Sequence, residues 1–466
     1  MSGPRAQRAA GRAHRQATPR GALVDLATRP ADADPVARLV ASAAGRIEEL
    51  APLRWARMAA SPLAFLRGAA VLMADDLAAS PSSGLIVPSA GDAHVKNFGL
   101  FASPERRLVF DVTDFDEMAP APFEYDLKRL GTSLALAAEA NGAGRHERER
   151  IVRDAAGEYV RAAARFATRG RLDVWYASLD VAGAFGELGG FFTDAARRDV
   201  ADLIGGVSVT STQRRYDDLV VATRRGPRLR SSPPRVTALA ALGAESPWRR
   251  ATAEAVLEGY RATLVSDRAA LLAQFRLVDV AALVVGVGSV GTEGYAALFT
   301  GRDEQDLFVL QLKEARPSVL GGDAPDGDPA ARVVAGQRLL QATPDAFLGW
   351  HAVATPRGPR SFYVRQLYDR KASVDVERLS AGHLATYGRA CAWVLARAHA
   401  RSGAAPSITG YLGRGAPFVD AMVGFAEAYR ARTVEDHAAL VAALAAGRLP
   451  ALGTAPGVGT LGGPGT

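Results

Sequence analysis

The residues of this chain whose types and spacing could do chemistry lie in the segment Gly91-Asp92-Ala93-His94-Val95-Lys96-Asn97 and at Asp114. Phosphoryl transfer from a nucleotide needs a carboxylate that orients the acceptor hydroxyl and oxygen ligands that hold a metal ion against the phosphates. Asp92 and Asn97 have four residues between them and can divide these tasks, the first meeting the acceptor and the second a metal. Asp114 follows the next predicted strand and can bridge metal and phosphates. The spacing therefore predicts a site for a nucleotide and a divalent metal.

Asp114 belongs to an acidic cluster that also contains Asp111, Asp116 and Glu117. An acidic cluster is most often a solvated turn, but carboxylates this close in sequence repel one another unless cations compensate. We therefore favour a metal site over a solvated turn.

Three other side chains near these acids have less definite roles. His94 could be a metal ligand, but no second histidine lies at metal-ligand spacing, so we expect it to brace the loop through a hydrogen bond. Arg67 and Lys128 could contact a phosphate or pair with the acids, and the sequence leaves both interpretations open.

The segment 91–97, the run Asp114-Phe115-Asp116-Glu117 and the run Tyr125-Asp126-Leu127 together resemble three elements of aminoglycoside phosphotransferases and other small-molecule kinases. Those elements are the catalytic loop, the metal-binding loop and the start of the following helix. The resemblance implies that Asp92 is the catalytic base, that Asn97 and Asp114 are metal ligands, and that Asp126 braces the loop. It also implies ATP, or another nucleoside triphosphate, and Mg²⁺ as cofactors.

Over nearly its whole length the chain also resembles a bacterial family known as domain of unknown function 2252. That resemblance implies a bacterial protein and leaves the activity open. The segments that carry it are 61–68, 91–99, 114–117, 126–130, 284–294 and 363–367.

A second candidate site is the glycine-rich segment with Gly286, Gly288 and Gly291. This spacing occurs both in dinucleotide-binding folds and in the phosphate loops of kinases. A dinucleotide site needs a helix directly after the glycines, whereas here β-type residues and a turn lead to a strand that ends near Lys313. This order is similar to a kinase's third strand with its phosphate-binding lysine, so we favour the kinase interpretation.

The order of the two candidate sites is the reverse of the order in kinases, where the glycine loop and the lysine precede the catalytic loop. A circular permutation would reconcile the two orders, and coincidence is the alternative. The helix expected at 331–341 also lacks an acidic partner for Lys313. Gln337, Glu314 or another acid could substitute, or Lys313 is not the phosphate-binding lysine.

On the permuted interpretation we expect an α+β, protein-kinase-like fold with two lobes. Residues 36–274 would form a mainly helical catalytic lobe, residues 275–372 a β-rich lobe that covers the nucleotide, and residues 373–450 a helical segment that completes the helical lobe. Gly, Pro, Ala and Arg dominate the start of the chain, and Gly, Pro, Ala and Thr dominate its end. We therefore expect a flexible basic arm at 1–35 and a disordered tail at 451–466.

The pattern of apolar residues predicts the elements that position these sites. Ser61 and Pro62 are typical of a helix start, and the apolar spacing extends that helix to about residue 77. Short strands are expected at 85–87 and 108–112. A helix then follows that places Leu127, Leu130 and Leu134 on one face. The catalytic segment and the acidic cluster would thus each follow a strand.

Composition limits the partners and the cell compartment. The formal charge of +7 is concentrated at 1–35 and 213–235, which is weak evidence for nucleic-acid binding, so we expect none. No apolar run is long enough to span a bilayer. The single cysteine, Cys391, excludes an intramolecular disulfide and fits a reducing cytoplasm.

The preferred function is an ATP- and Mg²⁺-dependent phosphotransferase that acts on a hydroxyl of an unknown acceptor. In it Asp92 orients the hydroxyl, Asn97 and Asp114 hold the metal, and Lys313 with the glycine loop contacts the phosphates. One rival is a catalytically silent regulator that binds a nucleotide. Another is a metal-dependent phosphohydrolase that uses the acidic cluster alone.

Overall fold

The computed structural model describes residues 3–180, 216, 218–284, 286–321, 327–367 and 374–452. Within these residues helices and strands combine into an α+β fold, in which a helical core and an antiparallel sheet are formed by different parts of the chain.

The described helices are α1 (Pro4–Ala17), α2 (Pro35–Ser42), α3 (Ala51–Ala59), α4 (Pro62–Gly68), α5 (Ala70–Ala79), α6 (Glu124–Ala140), α7 (Arg145–Phe166), α8 (Arg171–Tyr176), α9 (Ser246–Tyr260), α10 (Ser266–Leu272), α11 (Pro329–Leu340), α12 (Ala381–Arg401), α13 (Ala405–Leu412) and α14 (Ala416–Ala445). The described strands are β1 (Ile86–Ser89), β2 (Phe98–Ala102), β3 (Leu108–Val112), β4 (Ala119–Pro122), β5 (Leu179–Asp180), β6 (Val220–Thr223), β7 (Gly226–Leu229), β8 (Val236–Ala238), β9 (Arg276–Leu283), β10 (Gly294–Thr300), β11 (Leu307–Ala315), β12 (Gly349–Thr355) and β13 (Gly358–Gln366).

The largest sheet is antiparallel and has the strand order β12-β13-β11-β10-β9-β8. Short connections make β9, β10 and β11 sequential neighbours, with Ala281 opposite Ala296 and Leu298 opposite Val309. The glycine-rich segment is the connection between β9 and β10. Helix α11 lies between β11 and β12 in the chain and packs against β12 and β13.

Helices α6, α7, α12 and α14 form the main core of the molecule. Leu134, Tyr159, Leu395 and Phe425 are fully buried within it. The apolar face predicted for α6 is confirmed, since Leu127, Leu130 and Leu134 are all buried. This core supports two small sheets, β1-β4 and β2-β3-β5, which hold the candidate catalytic segment and the acidic cluster.

The helix expected from Ser61 to about residue 77 is two helices. Ser61 caps α4 as expected, because its Oγ accepts a hydrogen bond from the amide of Ala64. Ala69 then leaves the helical conformation, with φ −111° and ψ 32°, and α5 begins at Ala70. The break allows α4 to end beside the catalytic segment, where Arg67 lies.

The start of the chain differs from the flexible arm expected there. Residues 4–17 form α1, which packs on α13. The contact is close because Gly11 lies against the backbone of Ser407, and Gly410 lies against the backbone of Arg8. Small residues on both helices permit this approach, and the composition of the segment does not reveal it.

Residues 236–272 also differ from their expected place at the end of the helical lobe. Helix α9 packs on β12, and its residues Val256 and Tyr260 share an apolar cluster with Leu310 and Phe362 of the large sheet. The sheet therefore begins with β8, earlier than the expected boundary at residue 275. The tail expected at 451–466 lies almost wholly outside the described residues.

Candidate functional site

The candidate catalytic segment follows β1 and reaches β2 through one turn of 3₁₀ helix, Val95–Asn97. Asp126 in the first turn of α6 fixes its start, since its carboxylate accepts hydrogen bonds from the amides of Ala90 at 2.8 Å and Gly91 at 2.9 Å. His399 lies 3.1 Å from the same carboxylate and makes a further hydrogen bond to Tyr159. Asp126 therefore holds the backbone at the start of the catalytic segment.

Gly91 is required by the conformation and packing of this turn. Its φ is 81°, a region that favours glycine, and a Cβ atom here would lie 1.9 Å from the carbonyl oxygen of Glu117. The close approach joins the catalytic segment directly to the acidic cluster.

Asp92 is held by a buried cation. The Nε of Arg129 donates to Asp92 Oδ1 at 2.7 Å, and another nitrogen of that guanidinium donates to the carbonyl of Leu66. Burial raises the pKa of Asp92 above its ordinary value, although the charge of Arg129 opposes the shift. Asp92 Oδ2 lies 3.7 Å from His94 Nε2.

Asn97 and His94 both contact the backbone of Asp92. The Nδ2 of Asn97 donates to the carbonyl of Asp92 at 2.8 Å, which fixes the amide and directs its oxygen away from that bond. The backbone amide of His94 donates to the same carbonyl at 2.8 Å. Burial and the charges of Arg67 and Arg129 hold the pKa of His94 well below its ordinary value, so the imidazole is neutral.

The acidic cluster meets Lys313 of β11. The Nζ of Lys313 lies 3.7 Å from Asp114 Oδ2 and also forms an ion pair with Asp116. Burial alone would raise the pKa of Asp114, but the charges of Lys313 and Arg365 outweigh it and hold that pKa below its ordinary value. Burial alone would lower the pKa of Lys313, but Asp114 and Asp116 raise it. Lys313 and Asp114 are therefore charged together.

This contact identifies the partner of Lys313. None of its ion pairs within the described residues comes from α11, where Gln337 instead hydrogen-bonds to Gln341. Glu314 is also not the partner, since it pairs with Arg360 at 3.3 Å. Helix α11 reaches the acidic cluster through Arg332, which donates to the carbonyls of Asp116 and Met118.

The glycine-rich segment is held by arginines from the N-terminal third of the chain. Arg46 donates to the carbonyls of Gly288 and Val290, Arg54 donates to that of Gly288, and Arg57 donates to that of Gly286. Gly286 and Gly291 have φ values of 74° and 88°, which these turns require. Three carbonyl oxygens of the loop, those of Gly286, Gly288 and Val290, are thus occupied by arginines.

One cleft of about 450 Å³ brings the two candidate sites together. Asp92, Asn97 and Asp114 line it together with Gly286 and Gly288. His94 also lines this cleft, and Gly291 instead packs against Arg46 beside it. A volume of this size suits a small-molecule site.

The acidic cluster does not act as a unit. Asp111 is buried away from the cleft, paired with Arg397 through a Nη2–Oδ1 contact of 2.5 Å and accepting a hydrogen bond from the amide of Ala342. Asp116 and Glu117 line the cleft with Asp114. Burial and the charges of Asp92 and Asp116 raise the pKa of Glu117 to about 7.

Arg67 and Lys128, whose roles the sequence left open, lie in different parts of the structure. Arg67 lines the cleft and makes no hydrogen bond or ion pair within the described part of the chain. Lys128 is buried elsewhere, with its Nζ 4.3 Å from the centre of the Phe425 ring.

Several residues that line the cleft received no individual role from the sequence. Asp116 and Glu117 were assigned only to the acidic cluster, and their proximity to the other candidates supplied the available signal. The arginines Arg46, Arg54 and Arg316 gave no signal, because they come from segments without a recognisable motif.

Asn97 and Asp114 carry oxygen atoms of the kind that bind Mg²⁺. Asn97 offers an amide oxygen and Asp114 a carboxylate, and Mg²⁺ characteristically takes one or two such protein ligands together with phosphates and water. Across the described ranges no group of three or more His, Cys, Asp or Glu side chains is arranged to hold a metal by itself. Asn97 and Asp114 could therefore supply only part of the coordination of a metal ion.

The fold and the site define an α+β protein with a cleft between a glycine-rich β connection and an acidic loop. The chain belongs to the bacterial family described as "Uncharacterized protein conserved in bacteria (DUF2252)", whose family model matches residues 46–443. No curated protein and no solved structure matches the chain. Among the helices that the structure describes, none combines the length and apolar character needed to cross a bilayer.

Proposed function

We propose that the cleft binds ATP with Mg²⁺ and that the protein transfers the γ-phosphoryl group to a hydroxyl of a small acceptor. The observation that carries this proposal is that Asp92, Asn97 and Asp114 share one cleft with the glycine-rich connection, while Lys313 reaches Asp114. Phosphoryl transfer depends mainly on positioning and on compensation of charge, and these residue types supply both.

The connectivity of the sheet supports a permuted kinase-like arrangement. A glycine-rich connection joins β9 to β10, the lysine lies on the following strand β11, and a helix and two further strands complete the sheet. Protein kinases also place a glycine loop over the phosphates and a lysine on the third strand. In this chain those elements follow the catalytic segment in sequence and meet it in space.

The residues around the cleft have separable roles in this proposal. Asn97 and Asp114 would hold Mg²⁺, which when bound would neutralise charge on the phosphates. Lys313 keeps Asp114 ionised. It does not line the cleft itself, so its proposed contact with a phosphate oxygen requires its side chain to move away from Asp116. Arg67, which has no partner among the described residues, lies where it can contact the transferred group.

The reaction assigned to the site conserves atoms and charge. The acceptor oxygen forms a bond to the γ-phosphorus as the bond from that phosphorus to the bridging oxygen of ADP breaks. The hydroxyl proton passes to Asp92, and Oδ2 is the available oxygen because Oδ1 already accepts from Arg129. The Nδ2 of Asn97 and the backbone amide of His94 hold the carbonyl of Asp92 during this step. The His94 side chain does not make the bracing hydrogen bond expected of it among the described residues, since its Nδ1 has no partner and its Nε2 lies 3.7 Å from Asp92 Oδ2.

The second candidate is a silent regulator that binds a nucleotide without turnover. Its specific support is the ion pair between Arg129 and Asp92, which occupies Oδ1 and opposes the rise in pKa that burial gives this carboxylate. The phosphohydrolase candidate has less support, because Asp111 pairs with Arg397 and is not available to a metal in the cleft.

The test measures nucleotide binding and turnover on the same preparations. Wild type, Asp92→Asn and the surface control Asp420→Asn are compared for MgATP binding by calorimetry and for slow release of labelled phosphate to water. The proposal expects Asp92→Asn to retain binding while its turnover falls at least about 100-fold, as loss of a positioned base predicts. Binding without turnover in the wild type would favour the silent regulator, and absence of binding would refute both.

A further inference from the structure

Arg46, Arg54 and Arg316 form an arginine cluster in the wall of the cleft. Arg46 and Arg54 donate to backbone carbonyls of the glycine-rich connection, and Arg316 donates to the carbonyl of Ala44. None of the three makes an ion pair with a carboxylate within the described residues. Arg54 is only 3% exposed.

The cluster retains buried donors without acceptors. Arg46 Nε, Arg54 Nε and Arg316 Nη1 have no hydrogen-bond partner in the part of the chain that the structure describes. Buried donors are nearly always satisfied in folded proteins, so three in one wall require an explanation. Each guanidinium donates hydrogen bonds to backbone carbonyls through some of its nitrogens and has another nitrogen without an acceptor.

The lowered pKa values of two of these arginines also indicate that the cluster lacks a compensating negative charge. Burial lowers the pKa of Arg46 to about 10 and that of Arg54 to about 9, and repulsion within the cluster adds to both shifts. The acid that opposes both shifts is Glu117, whose carboxylate already accepts a hydrogen bond from the amide of Val319. Burying several cations without counter-charges is costly, and a bound oxyanion would offset that cost.

We propose that Arg46, Arg54 and Arg316 form an oxyanion subsite for the acceptor, which therefore carries a phosphate or carboxylate group besides its hydroxyl. Guanidinium groups suit both anions because their planar forks match paired oxygens. The cluster lines the same cleft as Asp92, so one small molecule can place its anion here and its hydroxyl near that carboxylate. The assignment to the acceptor rests on the proposed function, whereas the presence of an anion site does not.

The nucleotide is the other possible source of an anion. In the proposed function the phosphates of the nucleotide are bound by Lys313, by the backbone of the glycine-rich connection and by the metal that Asn97 and Asp114 would hold. An acceptor subsite must therefore remain available when MgATP is bound, and this requirement separates the two sources.

The test is equilibrium dialysis of the full chain with labelled inorganic phosphate, with and without saturating MgATP. The expected result is one phosphate per chain in both conditions, with affinity at least about tenfold weaker in Arg54→Gln and in Arg316→Gln. Arg57→Gln is the matched control, since Arg57 also donates to the glycine-rich connection but does not line the cleft. It should retain phosphate binding. Arg316 is less buried than Arg54, so its variant provides the test if Arg54→Gln does not fold.

The possible results distinguish failure of the proposed function from failure of the acceptor subsite. Phosphate binding without MgATP binding would refute the proposed function and keep the subsite. Absence of phosphate binding, equal binding by the wild type and both cluster variants, or displacement of phosphate by MgATP would overturn the acceptor subsite.

Discussion

Lys313 Nζ lies 3.7 Å from Asp114 Oδ2, although the two residues come from opposite halves of the chain. The lysine belongs to β11 of the large sheet, and the aspartate follows β3 beside the helical core. Their contact joins the two parts of the fold at the cleft. It also pairs the residue proposed to contact phosphate with the residue proposed to hold the metal.

Replacing Lys313 with methionine should lower the free energy of unfolding by about 3 kcal/mol, because Asp114 and Asp116 would lose their buried counter-charge. Urea unfolding followed by circular dichroism measures the change. Lys96→Met is the control, since Lys96 pairs with the exposed Glu377 and should cost less than about 1 kcal/mol. Similar losses in the two variants would contradict the proposed role of the Lys313 contact.

Gly91→Ala should destabilise the protein more than Gly142→Ala. Both glycines have positive φ, 81° and 83°, so both variants incur backbone strain of about 1 kcal/mol. Only the Cβ at residue 91 meets a backbone atom, the carbonyl oxygen of Glu117, whereas residue 142 has open space. We expect an additional loss of about 2 kcal/mol or more for Gly91→Ala in thermal unfolding. Equal effects would show that the close approach is not important for stability.

Asp126→Asn should loosen the catalytic segment, because it removes a charge that accepts two backbone hydrogen bonds. The expected cost is about 1–3 kcal/mol, with faster hydrogen exchange at the amides of Ala90 and Gly91. Asp420→Asn on the surface should leave that exchange unchanged. Unchanged hydrogen exchange at these two amides in Asp126→Asn would show that Asp126 does not brace the catalytic segment.

Glu117 should make stability fall as the pH rises toward neutrality. Its pKa is about 7 in the folded protein against an ordinary value of 4.5, so the folded state binds this proton more tightly. The contribution of this group is fully present below pH 4.5 and is lost as the pH rises through 7. When the pH is raised from about 5 to 8, the fall in the free energy of unfolding should be about 1–3 kcal/mol smaller in Glu117→Gln than in the wild type.

Urea unfolding at several pH values measures this difference, and Glu105→Gln, an exposed glutamate, is the control. A pH dependence of Glu117→Gln identical to that of the wild type would contradict the raised pKa.

Local patterns predicted the elements around the site better than the contacts between them. The apolar face of α6 and the capping of α4 by Ser61 follow from spacing and residue type. The break at Ala69 does not, because alanine favours a helix and the packing of α4 and α5 decides otherwise. Strand β12 was not predicted, because its partly exposed sequence carries no strong period.

The site was predictable where one short segment contains the signal. The spacing of Asp92, Asn97 and Asp126 along the chain is enough to propose a role for each of them. The partner of Lys313 and the arginine cluster depend on contacts between distant segments, so no local pattern could identify them. The start of the chain illustrates the same limit, since the contact of Gly11 with Ser407 is visible only after folding.

The most direct test of the central claim is the Mg²⁺ dependence of ATP binding, measured by calorimetry on the wild type and on Asp114→Asn. The account predicts one ATP per wild-type chain, bound at least about tenfold more tightly with Mg²⁺ than without it, and loss of that difference in Asp114→Asn. Failure of the wild type to bind ATP in the presence of Mg²⁺, or an unchanged Mg²⁺ effect in Asp114→Asn, would contradict it.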